Sequence, residues 1–122
     1  MKQFCGVKPQ LAQDRDPLTK APPAPKWMTK EAQTEWKRVM PRLIEDRIIT
    51  RADLHGVEDY CIATGRIREL EALLATGFDP KLFSAQNRAM QTARLLAAEF
   101  GLSPMSRTRI SSGAADEEEG FL

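Results

Sequence analysis

Residues 50–76 read TRADLHGVEDYCIATGRIRELEALLAT, and this stretch decides the fold class. Its apolar residues recur at steps of three and four, which is the spacing of one face of an α-helix. They are Leu54, Val57, Cys61, Ile67, Leu70 and Leu74, widened by Ala63 and Leu73. A helix over residues 51–76 would be about 39 Å long. In so short a chain, such a helix needs a partner of similar length to cover its apolar stripe.

The ends of this helix carry recognisable signals. Thr50 and Asp53 have the spacing of a capping box, with Asp in place of the usual Glu. Gly77 predicts a left-handed residue at the end of the helix, and Pro80 follows shortly after it. Gly65 lies in the middle of the helix, where it either allows another helix to approach closely or marks a bend.

A second helix is predicted to follow, with Ser84 as its N-cap and with Gly101 and Pro104 ending it. Its apolar face comprises Ala85, Ala89, Met90, Ala93, Leu96, Ala97 and Phe100. The connector over residues 77–84 is short, so the two helices should be antiparallel neighbours. This helix pair is the predicted centre of the fold.

A shorter helix is predicted before the pair. Thr29 can cap it, and its apolar residues fall at Ala32, Trp36, Val39, Met40 and Leu43. Pro41 interrupts the pattern, so this helix either kinks or ends and restarts there. Aromatic residues make up only 7% of the chain, which also argues against a large β-sandwich.

The two ends of the chain differ in charge. Residues 1–26 contain five prolines, and residues 1–30 carry six basic and two acidic side chains; we expect an extended, mobile arm. Residues 111–122 contain four acidic and no basic residues, which predicts a disordered acidic tail. The predicted organisation is therefore an arm (1–26), an all-α domain (27–110) and a tail (111–122). The domain is a long antiparallel helical hairpin with a preceding shorter helix.

Several function classes find no support in the sequence. It contains no phosphate-binding loop, no GxGxxG and no GxSxG. Its two cysteines and one histidine are too few for a structural zinc site. We interpret His55 as a partly exposed residue on the helix surface and Cys61 as a small core residue. Since no apolar stretch reaches about 20 residues and no secretory signal is visible, we expect an intracellular protein. Because these motifs and ligand clusters are absent from the sequence, we also expect no catalytic residues, metal or cofactor.

The basic residues favour a polyanionic partner. Lys26, Lys30, Lys37, Arg38 and Arg42 lie in or beside the first helix, and Arg107 and Arg109 form a second cluster. Contacts to phosphate use side chains of this kind. The alternative is an ordinary solvated face, because Glu31, Glu35, Glu45 and Asp46 share the first helix. Many copies in one assembly would multiply weak phosphate contacts.

The sequence resembles the P27-type phage terminase small subunits. The resemblance rests on Trp36 followed by Pro41 and Leu43, on IITRAD at 48–53, on Tyr60-Cys61, and on GLSPMSRTR at 101–109. The chain departs from the family pattern at Arg47, where many members have glycine, and we expect this change to be neutral. It also lacks a proline in the segment 84–88, which could alter how the last helix begins.

The resemblance implies a non-enzymatic subunit that assembles into a ring-like homo-oligomer, binds double-stranded viral DNA and delivers it to the large terminase subunit in the host cytoplasm. Within this picture, Phe121 and Leu122 behind the acidic run are a candidate docking peptide for the large subunit. One alternative is a helical adaptor or scaffold that binds only protein. A second is a small helix-turn-helix regulator, which the long second helix disfavours.

Overall fold

The computed structural model describes residues 16–103, and these residues form three α-helices: α1 (Lys30–Glu45), α2 (Leu54–Leu74) and α3 (Pro80–Glu99). A short 3-10 helix, Arg51–Asp53, leads directly into α2. No strand occurs within residues 16–103. The prediction of an all-helical fold is confirmed for this part of the chain.

Helix α1 begins where the sequence predicts. The Thr29 hydroxyl accepts a hydrogen bond of 3.3 Å from the backbone N–H of Ala32, which satisfies one of the free donors of the first turn. Pro41 lies inside the helix, which continues to Glu45. Of the two possibilities predicted at Pro41, an end and restart of the helix is therefore excluded, and α1 continues through the proline.

The turn after α1 requires a left-handed residue, and that residue is Arg47, with φ of 54°. Within residues 16–103 it is the only non-glycine residue with positive φ. The Ile48 N–H reaches back to the Leu43 carbonyl (3.0 Å), and Ile49 is then fully buried. Since only glycine adopts this conformation without steric cost, we now expect Arg47 to be less favourable here than the family's glycine rather than neutral.

The start of α2 is confirmed and its predicted end is not. Asp53 Oδ2 accepts hydrogen bonds from the Thr50 N–H (2.8 Å) and the Thr50 hydroxyl (3.2 Å). At the other end, α2 stops at Leu74, and Gly77 does not have a positive φ. The Thr76 hydroxyl instead donates to the Leu73 carbonyl (2.7 Å), so a side chain satisfies a terminal carbonyl without a left-handed glycine.

Helix α3 begins earlier than predicted. Asp79 is the N-cap, its carboxylate accepting a 2.8 Å hydrogen bond from the Lys81 N–H, and Pro80 is the first helical residue. Proline suits this position because a backbone N–H here would have no partner within the helix, so its absence costs nothing. The Ser84 cap is therefore wrong, and residues 84–88 lie inside the helix. Gly101, with φ of 70°, follows the end of α3 as predicted.

Helix α2 is the centre of the fold, because it packs against both α1 and α3, whereas α1 and α3 do not pack against each other in the described part of the chain. Gly56 lies against the Phe100 ring, and Gln86 contacts Glu71, so α2 and α3 run in opposite directions. The main core forms where α1, α2 and the adjoining loops meet. Its fully buried members include Met40, Leu43, Ile49, Val57 and Cys61.

Gly65 is the point of closest approach between α1 and α2. A Cβ placed on Gly65 would lie 2.8 Å from the Ala32 backbone nitrogen and 3.1 Å from its Cα. These contacts would be clashes with backbone atoms, and rotation of a side chain would not relieve them. Of the two interpretations given above for Gly65, close helix approach is confirmed.

Packed structure begins before Trp27, the residue at which we expected order to start. Residues 16–26 contain no helix or strand, as their prolines predict. However, Leu18 and Ala24 pack against the core, and the Leu18 N–H donates to the Ile49 carbonyl (2.9 Å). The Trp36 indole N–H also donates to the Pro22 carbonyl (3.0 Å). This part of the arm is therefore anchored on the helical domain.

Candidate nucleic-acid interface

The outer face of α1 is cationic. Lys26, Lys30 and Lys37 are exposed, and within residues 16–103 no hydrogen bond or ion pair engages their side-chain amines. Because an α-helix turns about 100° per residue, Lys30 and Lys37 point in nearly the same direction. Their charges are therefore free to contact a polyanion along one line of the helix.

Glu35 lies on the opposite, inner side of α1, and its side chain is 0% exposed. Its carboxylate accepts hydrogen bonds from the Arg38 guanidinium, including one of 3.0 Å from Nε, from the Tyr60 hydroxyl (2.7 Å) and from Arg68 Nη2 (3.2 Å). We call these four residues the Glu35 cluster. The alternative of an ordinary solvated face therefore does not hold for Glu35, since the packing of α2 covers it.

The Glu35 cluster keeps its carboxylate ionised. Burial alone would raise the pKa of Glu35, but the hydrogen bonds from Arg38 and Tyr60 and the charges of Arg38 and Arg68 hold that pKa below its ordinary value. The hydrogen bond to Glu35 likewise raises the pKa of Arg38. Burial, followed by the hydrogen bond to Glu35, raises the pKa of Tyr60.

Two arginines share one buried carboxylate in this arrangement, so one positive charge is left over. The Arg38 side chain is 61% exposed and that of Arg68 is 43% exposed. Each is fixed at one end by the carboxylate and still faces solvent, which orders a cationic surface between α1 and α2. Arg68 is not among the contact residues predicted from the sequence, although its position one helical turn after Gly65 places it on the side of α2 that faces α1.

The amino-acid sequence matches the model of a known protein family. The family model described as phage terminase, small subunit, matches residues 32–117, more than half of the chain. The chain belongs to the phage terminase small subunit family. Membership indicates a role in phage DNA packaging. No curated protein and no solved structure matches the chain.

The other predicted contact residues of this terminase small subunit differ in their setting. Arg42 forms an exposed ion pair of 3.3 Å with Asp46, which partly neutralises its charge. Arg107 and Arg109, together with Phe121 and Leu122, lie outside the described residues. Among the predicted contact residues, the structure places Arg38 beside Arg68, because both bind the Glu35 carboxylate.

Two chemically reactive side chains of the described residues, His55 and Cys61, have ordinary structural surroundings. His55 is exposed, with its Nδ1 3.3 Å from Glu58 Oε1, which confirms its interpretation as a surface residue. Cys61 is fully buried, and burial raises the pKa of its thiol to about 12, which confirms a core role. No group of three potential metal ligands occurs within residues 16–103. None of the three described helices is long and apolar enough to cross a membrane.

Proposed function

We propose that this chain is the non-catalytic DNA-recognition subunit of a phage terminase of the P27 type. It binds double-stranded viral DNA in the host cytoplasm as a homo-oligomer and presents it to the large subunit. The observation that supports DNA binding most directly is the cationic face of α1 with its exposed lysines, which have no ion-pair partner among residues 16–103.

Phosphate contact is the chemistry this surface suits. Lys30 and Lys37 offer mobile ammonium groups, while Arg38 and Arg68 offer guanidinium groups held in place by Glu35. A positioned guanidinium loses little conformational freedom on binding an oxygen anion. Lys26 and Arg42 flank this surface, and Arg107 and Arg109 provide a second contact after α3.

Assembly of several copies completes the proposal. Only Gln86 of α3 is buried, although the helix contains many apolar residues. A single chain therefore leaves much of the α2–α3 surface uncovered. Ring-like assembly would also multiply the few phosphate contacts each copy makes, and affinity rises steeply with their number. The Phe121–Leu122 end is proposed to dock on the large subunit.

Salt-dependent binding to duplex DNA tests the function. We would measure fluorescence anisotropy of a labelled duplex across a salt series for the full chain and for the double variant Lys30→Ala, Lys37→Ala. Removing one lysine–phosphate interaction lowers the slope of log K against log salt by about 0.9, so the variant slope should fall by about 2 per copy engaged.

Lys81→Ala is the matched control, because Lys81 is an exposed lysine at the start of α3, away from α1. It should bind like the unmodified chain. Equal reductions in affinity for Lys81→Ala and the α1 variant would contradict the assignment to α1, and absence of any binding in dilute salt would contradict DNA recognition.

A protein-only adaptor is the second candidate. The connection between α2 and α3 carries an exposed aromatic pair, Phe78 (71% exposed) and Phe83, with ring centroids 5.6 Å apart. Exposed aromatic side chains are typical of protein contacts. An adaptor would bind a protein partner through Phe78 and Phe83 and would show no affinity for DNA at any salt concentration.

A further inference from the structure

The two tryptophans of the chain have opposite surroundings. The Trp36 side chain is 3% exposed and its indole N–H is paired with the Pro22 carbonyl, whereas Trp27 is 64% exposed. Within residues 16–103 the indole N–H of Trp27 has no hydrogen-bond acceptor. Tryptophan is largely buried in most folded proteins, and covering its ring removes a large apolar area from water. Trp27 is therefore a candidate contact for a binding partner.

Trp27 lies in a β-turn whose two ends are attached to the helical domain. The Met28 N–H donates to the Pro25 carbonyl (3.2 Å), which makes Lys26 and Trp27 the central residues of the turn. Before the turn, Ala24 packs against the core, and after it the Met28 side chain is buried. Because neither end of the turn is free, the Trp27 side chain is presented to solvent from a defined position.

The charges around Trp27 favour a nucleic acid over a protein as its partner. Lys26 precedes it and Lys30 follows it at the start of α1; both are exposed, and neither forms an ion pair within residues 16–103. Glu31 is the nearest acidic residue along the chain, but it is turned about 100° from Lys30 on the helix. Lysine is depleted from protein–protein interfaces, whereas aromatic rings among basic residues are typical of surfaces on which bases stack.

We infer that the Trp27 ring stacks on a nucleobase of the bound DNA while Lys26 and Lys30 contact the phosphates beside that base. This inference rests on the DNA recognition of the proposed function and adds a contact to the bases. Three residues of chain span at most about 11 Å, so both lysines are near the ring. A base in an intact duplex presents only its edge in the grooves, and stacking on it requires an unstacked step or an unpaired base. The protein should therefore prefer DNA that contains an unpaired base.

Two DNA duplexes that differ only by one bulged, unpaired base test the inference, with affinities measured by fluorescence anisotropy across a salt series. The unmodified chain should bind the bulged duplex at least about fivefold more tightly, because the unpaired base is free to stack on the ring. Trp27→Ala should lose this preference, and Trp27→Phe, which keeps an aromatic ring, should retain most of it. Because indole carries no charge, Trp27→Ala should leave the salt slope unchanged, unlike the double variant Lys30→Ala, Lys37→Ala.

Phe83→Ala is the matched control, because Phe83 is an exposed aromatic residue of α3, a helix that does not pack against α1 in the described part of the chain. It should bind both duplexes like the unmodified chain. Tryptophan fluorescence gives an independent measurement. The bulged duplex should quench the emission of the unmodified chain but not that of Trp27→Phe, in which the buried Trp36 is the remaining tryptophan.

Two results would overturn the inference. One is equal affinity of the unmodified chain for the two duplexes, and the other is equal affinity of Trp27→Ala and the unmodified chain for the bulged duplex. In either case, salt-dependent binding of both duplexes would still support the proposed function. An unmodified chain that binds neither duplex in dilute salt would instead overturn the proposed function itself.

Discussion

The Tyr60 hydroxyl of α2 donates a 2.7 Å hydrogen bond to the buried carboxylate of Glu35 in α1. Together with Arg68, which also reaches Glu35 from α2, it fixes how the two helices meet. The position of Arg38 at the surface depends on the same carboxylate, so the packing of the core and the order of the cationic surface are connected.

Tyr60→Phe should destabilise the protein by about 1.5–3 kcal/mol, because it removes a hydrogen bond to a charged acceptor without changing the ring. Chemical denaturation followed by circular dichroism would measure this. Arg42→Ala is the control, since it removes only the exposed ion pair with Asp46 and should cost less than about 1 kcal/mol. Equal stability of Tyr60→Phe and the unmodified chain would show that the hydroxyl has no structural role.

Stability should fall in acid partly through Glu35. Its pKa is lower in the folded protein than its ordinary value, so the stabilisation is present above the unfolded pKa of about 4.3. It is lost as the pH falls through the folded pKa. Glu35→Gln should therefore be less stable than the unmodified chain at pH 7 and lose less stability below pH 5. Parallel unfolding curves against pH for the two proteins would contradict this.

Arg47→Gly should stabilise the protein by about 0.5–1 kcal/mol. Glycine relieves the left-handed conformation of Arg47 (φ 54°), and this gain exceeds the extra freedom glycine has in the unfolded chain. Arg47→Ala separates conformation from charge, because alanine keeps the steric cost and should leave stability within a few tenths of a kcal/mol. Thermal unfolding of the three proteins would rank them, and a stabilised Arg47→Ala would indicate that charge is responsible.

Gly65→Ala should destabilise the protein although alanine is the better helix former by about 1 kcal/mol. The new Cβ would lie 2.8 Å from the Ala32 nitrogen, which forces α1 and α2 apart and outweighs the gain in propensity, for a net loss of about 1–2 kcal/mol. Gly77→Ala is the matched control, because nothing lies within 4 Å of its added Cβ. It should be neutral or stabilising in the same denaturation experiment.

Periodicity in the sequence is sufficient to predict three helices, since apolar steps of three and four record which side faces a neighbour. The start of α3 differs from its prediction because Asp79-Pro80 is a strong signal for the start of a helix. The prediction places these two residues in the connector that follows Gly77, so it does not use that signal. The Glu35 cluster is not predictable in the same way. Its partners Tyr60 and Arg68 come from another helix, and which of their turns meets Glu35 depends on the approach of Gly65 to Ala32.

The anchoring of the arm escapes prediction for a related reason. Prolines 17, 22, 23 and 25 correctly exclude a helix, but they do not tell whether the extended chain has something to bind. The Trp36 indole N–H needs an acceptor when the ring is buried, and the Pro22 carbonyl supplies it. A buried tryptophan therefore accounts for order that the composition of the arm does not suggest.

Among the helices of the described residues, α3 packs only against α2. We therefore expect the local stability of the molecule to differ between α3 and the other two helices. The α1–α2 unit contains nearly all of the buried side chains, whereas α3 contributes only Gln86 and is followed by Phe100. We therefore expect α3 to open from α2 more readily than α1 does. Backbone amides of α3 should then exchange with deuterated solvent well before those of α2.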